Sequence, residues 1–325
     1  GGDVGRGQDD GRVDGPALHA LRATGGDGDG RAGQGGEVGV LGVAHSDQPN
    51  EAPRAGRRAR RHRAPAAGAL VGPPDPGASL VAVLTVVAED LLADRVGSGD
   101  PRVLALHGWS RSGGDFARVL AGTDALAIHL PGFGTTPPPP APWGSVEYAD
   151  HLAAALSGTG PYVVVGHSFG GRVAVRLAAA HPGLVTSLVL TGVPLVRATP
   201  PPKPALLLRV VKRLHAAHLV PASIVDRARR NAGSADYRAA EGVMRGVLVR
   251  VVGEDYRADL ARVTQPVHMV WGADDDAAPL AGARLAAELL ADVRLDVVPG
   301  AGHLIEGELE RVLTVAVAET LGDHA

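Results

Sequence analysis

A serine set among small residues, Gly166-His167-Ser168-Phe169-Gly170-Gly171, follows the apolar run Tyr162-Val163-Val164-Val165 and precedes a helical pattern over 172–180. Small residues on both sides let a chain turn sharply from strand to helix and lift the serine oxygen above the sheet. The positive helix end beneath it favours negative charge. A serine hydroxyl is a weak nucleophile and needs a base. Pro299-Gly300-Ala301-Gly302-His303-Leu304 offers a histidine on a glycine loop, after a strand pattern at 294–298. An imidazole in that role needs a carboxylate to fix its tautomer and stabilise its cation. Three carboxylates, Asp274, Asp275 and Asp276, follow the strand pattern at 266–270. An acyl-transfer site also needs donors for the oxyanion. The backbone N–H of Phe169, just after the serine, is one; that of Trp109, in Leu106-His107-Gly108-Trp109 after an earlier strand, is the second.

These groups need a scaffold of strand ends, and the rest of the sequence supplies one. Apolar runs at 83–88, 89–96, 102–107, 126–130, 162–165, 187–190, 266–270 and 294–298 read as strands. Helical patterns at 146–156, 172–180 and 306–321 lie between or after them. Continuous apolar strands alternating with helices predict an α/β fold, with a mostly parallel central sheet covered on both faces. The rhythm breaks between Pro194 and Pro266, where helical stretches at 205–218 and 239–252 replace strands. This predicts a helical cap over 195–257 above the sheet's C-terminal edge, its apolar face supplied by Leu206, Leu207, Leu208, Val243, Met244 and Val247. The core is then 81–194 together with 258–325.

Residues 1–80 have no hydrophobic period and are dense in Gly, Arg, Asp, Ala and Pro. Such a segment buries too little apolar surface to offset chain entropy, and is expected to be a disordered or non-native N-terminal extension. Its cluster Arg57-Arg58-Ala59-Arg60-Arg61-His62-Arg63 reads as a solvated charge run in preference to a nucleic-acid or targeting patch. The apolar run at 79–88 reads as a strand in preference to the core of a signal peptide, because prolines separate it from the arginines and no cleavage site follows.

Composition removes other chemistries. The 325-residue chain carries a net charge of −3, which gives no electrostatic reason to expect nucleic acid as a partner. Without cysteine there is neither disulfide nor thiolate catalysis. No apolar run reaches the roughly 18 residues of a membrane span. No metal-ligand spacing or phosphate loop is present, so no cofactor and no metal are expected.

With Leu130-Pro131-Gly132-Phe133-Gly134 and Gly272-x-x-Asp275-x-x-x-Pro279 added to the motifs above, the chain from about residue 83 onward resembles the α/β-hydrolase fold family of esterases, lipases and related enzymes. The resemblance implies the chain order Ser, Asp, His, and its G-x-x-D-x-x-x-P spacing singles out Asp275 from its neighbours. It thereby implies a triad of Ser168, Asp275 and His303. One departure is His129, where the family commonly has Asp before L-P-G-x-G; that position is expected to support the loop. The implied activity is hydrolysis, through an acyl-enzyme, of an ester or thioester of a small, largely apolar substrate, in the cytoplasm. The resemblance also admits carbon–carbon bond hydrolysis or cofactor-free perhydrolysis with the same triad, and a ligand-binding receptor that retains it. Epoxide hydrolysis and dehalogenation are disfavoured, because relatives performing them carry Asp at the position of Ser168.

Overall fold

The computed structural model describes residues 82–198, 211, 213–221, 223–225 and 235–324; the expected N-terminal extension at 1–80 and residues 206–208 of the expected cap lie outside these. Eight strands are described: β1 (Val83–Ala88), β2 (Leu91–Val96), β3 (Val103–Leu106), β4 (Ala125–His129), β5 (Tyr162–His167), β6 (Val185–Thr191), β7 (Val267–Gly272) and β8 (Val293–Val298). They form one sheet in the order β1-β2-β4-β3-β5-β6-β7-β8. The β1–β2 and β2–β4 pairs are antiparallel, and every pair from β4–β3 to β7–β8 is parallel. The expected mostly parallel sheet is therefore present.

Alternate residues of each central strand enter different cores, which is why these strands read as unbroken apolar runs. Leu104, Leu106, Val164, Leu188 and Leu190 pack beneath helices α1 (Ser145–Ala155) and α2 (Phe169–Ala180), and Trp271 belongs to the same core. Val103, Ala105, Val163, Val165 and Val270 pack on Phe116 and on Leu309, Leu313 and Val317 of the C-terminal helix Gly307–Gly322. Each fully buried aliphatic side chain of this kind contributes about 1.5–3 kcal/mol. Two differences from the expected elements have plain causes. Helix α2 starts at Phe169 and not at Arg172, because the turn from β5 consumes a single residue, Ser168. The helix at Leu280–Leu289 has no counterpart among the expected elements: its buried positions, Ala283 and Ala286, are alanines, which mark an apolar face weakly.

The chain leaves β3 toward β4 on one side and returns to β5 on the other, so the strand order reverses between β3 and β5. In open α/β sheets ligands bind outside the carboxyl ends of the strands at such a reversal. The 195–257 segment reaches this end of the sheet through Met244. Its main element is the helix Gly242–Gly253, preceded by Ala235–Ala239. Met244 packs against Gly132, just beyond β4, and Gly246 stacks on Pro142. The helix end is tied to the core: Arg172 Nη1 donates to Val251 O at 2.8 Å, and the Ser145 hydroxyl donates to Glu254 Oε2 at 2.5 Å. Tyr256, fully buried, donates its hydroxyl to the same carboxylate oxygen at 2.7 Å.

Candidate active site

Ser168 sits in the turn between β5 and α2 at φ 50°, ψ −113°, a backbone conformation that L-residues adopt only under strain. The flanking glycines explain how the turn closes. A Cβ on Gly166 would lie 2.5 Å from Gly171 Cα, and one on Gly170 would run into the carbonyl oxygen of Leu106 in β3. Neither position admits a larger side chain without moving main chain. Gly170 N–H also donates to His107 O at 2.9 Å, which locks α2 to the end of β3.

His303 comes from the loop after β8, and its Nε2 lies 3.1 Å from Ser168 Oγ. Its Nδ1 lies 3.0 and 2.9 Å from Asp275 Oδ1 and Oδ2. Asp275 accepts, so Nδ1 carries the proton and Nε2 presents its lone pair to the serine hydroxyl. Asp275 is 4% exposed, whereas Asp274 and Asp276 point to solvent. Asp275 Oδ1 also accepts the Ala278 N–H at 2.7 Å, which fixes the carboxylate's rotation. The pair has room because the next strand end carries no side chain: a Cβ on Gly192, after β6, would lie 3.0 Å from the His303 ring and 3.3 Å from Asp275. The lack of a carboxylate at 191–196 is plain in the sequence; this use of Gly192 is not.

The candidate oxyanion donors occupy the strand ends at the sheet's reversal. Phe169 is the first residue of α2, where an N–H has no intrahelical acceptor. Trp109 is second in a turn closed by Arg111 N–H to Gly108 O at 3.3 Å, with Ser110 at φ 56°. That turn's own hydrogen bond leaves the Trp109 N–H unused. The two residues' rings stand edge to face at 5.6 Å.

Two buried histidines, whose roles the sequence did not reveal, hold these loops. His107 donates from Nδ1 to Gly108 O at 2.7 Å and accepts the Leu130 N–H at Nε2, 3.1 Å, joining the ends of β3 and β4. His167 donates from Nε2 to the carbonyl oxygen of His303 at 2.9 Å, joining the serine turn to the His303 loop. Its Nδ1 is buried without a partner and faces Gly108. His129 is a loop support as expected: Nδ1 accepts the Thr135 N–H at 3.1 Å, and Nε2 donates to Asp94 at 3.0 Å.

Burial lowers the pKa of His107 and of His167 to about 4, because a charged imidazole there loses its hydration. The unfolded chain protonates both below about 6.5 and the folded chain only below about 4. Stability from these groups is therefore complete above 6.5 and falls as pH drops from 6.5 toward 4. The loss is on the order of 3 kcal/mol for each histidine. Urea midpoints between pH 7 and 4.5 should fall steeply, and His167→Gln, which keeps an N–H donor but does not titrate, should flatten the slope. A His167→Gln slope equal to that of the wild type would refute this account.

The sequence pattern of the alpha/beta hydrolase family matches residues 103–314. The pimeloyl-[acyl-carrier protein] methyl ester esterase of Chromobacterium violaceum is 32% identical over 260 residues, which cover 73% of this chain and 100% of that protein. Lipase LipV of Mycobacterium tuberculosis is 45% identical over 107 residues, but these cover only 31% of this chain and 41% of LipV. Among solved structures, an esterase from Exiguobacterium antarcticum superposes with a TM-score of 0.55 at 19% identity, over 71% of this chain and 95% of that one. A thermophilic esterase from Thermogutta terrifontis gives 0.52 at 21% identity, over 72% and 93%. With the sheet order, the serine turn and the family pattern in agreement, the chain belongs to the alpha/beta hydrolase family.

Proposed function

We propose that the chain is a serine hydrolase that cleaves an ester or thioester of a small, largely apolar substrate, with Ser168 as nucleophile, His303 as base and Asp275 as its orienting acid. The observation that supports this most is the unbroken series from Asp275 through His303 to Ser168 Oγ, with hydrogen-bond distances of 2.9 and 3.1 Å. The esterases and lipases among its relatives support ester cleavage.

In this reading Ser168 Oγ attacks the carbonyl carbon while its proton passes to His303 Nε2. The carbonyl oxygen takes the charge and is held by the Phe169 and Trp109 N–H groups. Such donors are each worth about 10²–10³-fold in kcat. Asp275 stabilises the imidazolium. His303 then gives its proton to the leaving oxygen or sulfur as that bond to carbon breaks, and water repeats the cycle on the acyl-enzyme. A cytoplasmic site of action is part of the proposal. Among the described residues no helix is long and apolar enough to cross a membrane.

A fluorophosphonate probe and a panel of p-nitrophenyl esters test the reading together. The expected result is labelling at Ser168 alone, with steady multiple turnover of at least one ester. A single burst without further turnover would favour a receptor that retains the triad, and absence of labelling would reject Ser168 as nucleophile. Labelling soluble and membrane fractions of cells separately tests the location.

A further inference from the structure

Beside the candidate site lies an open cleft of about 380 Å³, walled by Trp109, Phe133 and Met244 and rimmed by Ser110, Arg111 and Glu241. Ser168 and His303 are not part of its wall, but Trp109 of that wall stands edge to face with Phe169, the residue after Ser168. We infer that this cleft receives the acyl chain of the ester, and that Met244, carried by the cap helix Gly242–Gly253, sets the chain length that fits. The inference rests on the roles proposed for Ser168 and His303.

The sheet order decides which half of the ester lies where. Asp275 and His303 follow β7 and β8, on one side of Ser168 at the end of β5. The cleft is built from residues after β3 and β4, on the other side. The leaving group must lie beside His303 Nε2 to be protonated. The carbonyl oxygen must face the Phe169 and Trp109 N–H groups. The remaining substituent of the carbonyl carbon, the acyl chain, is then directed away from His303, toward β3, β4 and the cleft.

The lining gives the chemistry. Trp109 and Phe133 meet edge to face with centroids 4.9 Å apart, and Phe133 is only 8% exposed. Opposite them Met244 rests on Gly132, which has φ 88° and no side chain to hold the cap away. A thioether on an unbranched side chain fills irregular apolar space and adjusts to what it meets. The polar groups stand at the mouth and are exposed. Arg111 is already paired, donating from Nε and Nη2 to Asp115 at 2.6 and 2.9 Å. The apolar wall therefore suits a hydrocarbon chain, and the polar rim suits a polar end. Of the apolar cap residues expected to roof the site, Met244 lines the cleft and Val247 is packed into the main core.

Two ester series separate the halves of the substrate: p-nitrophenyl esters from acetate to laurate, and alkyl acetates from methyl to octyl. For the wild-type chain kcat/KM should rise roughly three- to fourfold per acyl methylene until the cleft is full, since each buried methylene contributes that factor. Met244→Ala should move the acyl optimum to longer chains, and Met244→Trp to shorter ones. The alcohol series should keep its order in both variants. Should Met244→Trp fail to fold, Met244→Ala decides alone. A fluorophosphonate control on the wild-type chain keeps the two ideas apart. If Ser168 is not labelled, the nucleophile assignment falls and the pocket with it. If Ser168 is labelled but Met244→Ala leaves the acyl optimum in place, or shifts the alcohol series instead, the pocket assignment alone is overturned.

Discussion

Replacing Ser168 by alanine is expected to lower kcat on activated esters by about 10⁶-fold, the loss seen when the nucleophile of a serine triad is removed. Rate above that of water alone should persist, because the proposed oxyanion donors and the proposed acyl cleft survive the change; in the type case such remnants retain about 10³–10⁴-fold. The fold should be unaffected. Alanine keeps the Cβ of serine and meets the same backbone strain at φ 50°. The substitution removes the hydrogen bond between Oγ and His303 Nε2, and the His303 ring is 21% exposed, so water can take the place of the hydroxyl. Stability should change by less than about 1 kcal/mol. The measurements are kcat on p-nitrophenyl esters, fluorophosphonate labelling and a thermal melt. Activity within tenfold of the wild type, with contaminating esterase excluded, would remove Ser168 from the mechanism. Lost activity with a collapsed melt would show a structural role instead.

The sequence carried the sheet clearly because the central strands are buried on both faces, so their apolar runs are uninterrupted and need no alternation to be seen. The serine turn was legible for a different reason. Only glycine fits at 166 and 170, against Gly171 and the end of β3, so local sterics write themselves into the sequence as a motif. What stayed hidden depends on partners remote in the chain. His167 is visible as a residue, but its bond to the His303 carbonyl spans 136 positions. His129 was a departure from the family pattern, and its support from Asp94 arises from the antiparallel β2–β4 pairing, 35 positions away. Gly192 gave no signal, since its service is to be absent where His303 and Asp275 need space. The cleft was illegible too, because it forms where residues of the 195–257 segment, Met244 among them, meet two loop aromatics from different strand ends.

Asp275→Asn should cost about 10⁴-fold in kcat/KM, while Asp274→Asn and Asp276→Asn change it by no more than a few-fold. The large effect follows from how the side chain is held. Oδ1 accepts the Ala278 N–H at 2.7 Å, so an asparagine must keep its carbonyl oxygen there; the amide nitrogen would place donor against donor. The NH₂ group then occupies the position of Oδ2, 2.9 Å from His303 Nδ1. Nδ1 then meets this donor at 2.9 Å beside the retained acceptor at 3.0 Å, and wherever it accepts from the amide the imidazole proton moves to Nε2. That nitrogen faces Ser168 Oγ at 3.1 Å and, once protonated, has no lone pair with which to take the serine's proton. The substitution thus leaves all three side chains in place and disables the base by tautomer alone. Asp274 and Asp276 point to solvent and have no such leverage. The experiment is kcat/KM for the wild type and the three variants, with melts to show that each remains folded. If Asp274→Asn or Asp276→Asn proves the crippling change, Asp275 is not the acid. If Asp275→Asn retains more than about a tenth of wild-type activity, control of the His303 tautomer by this carboxylate is not what the reaction depends on.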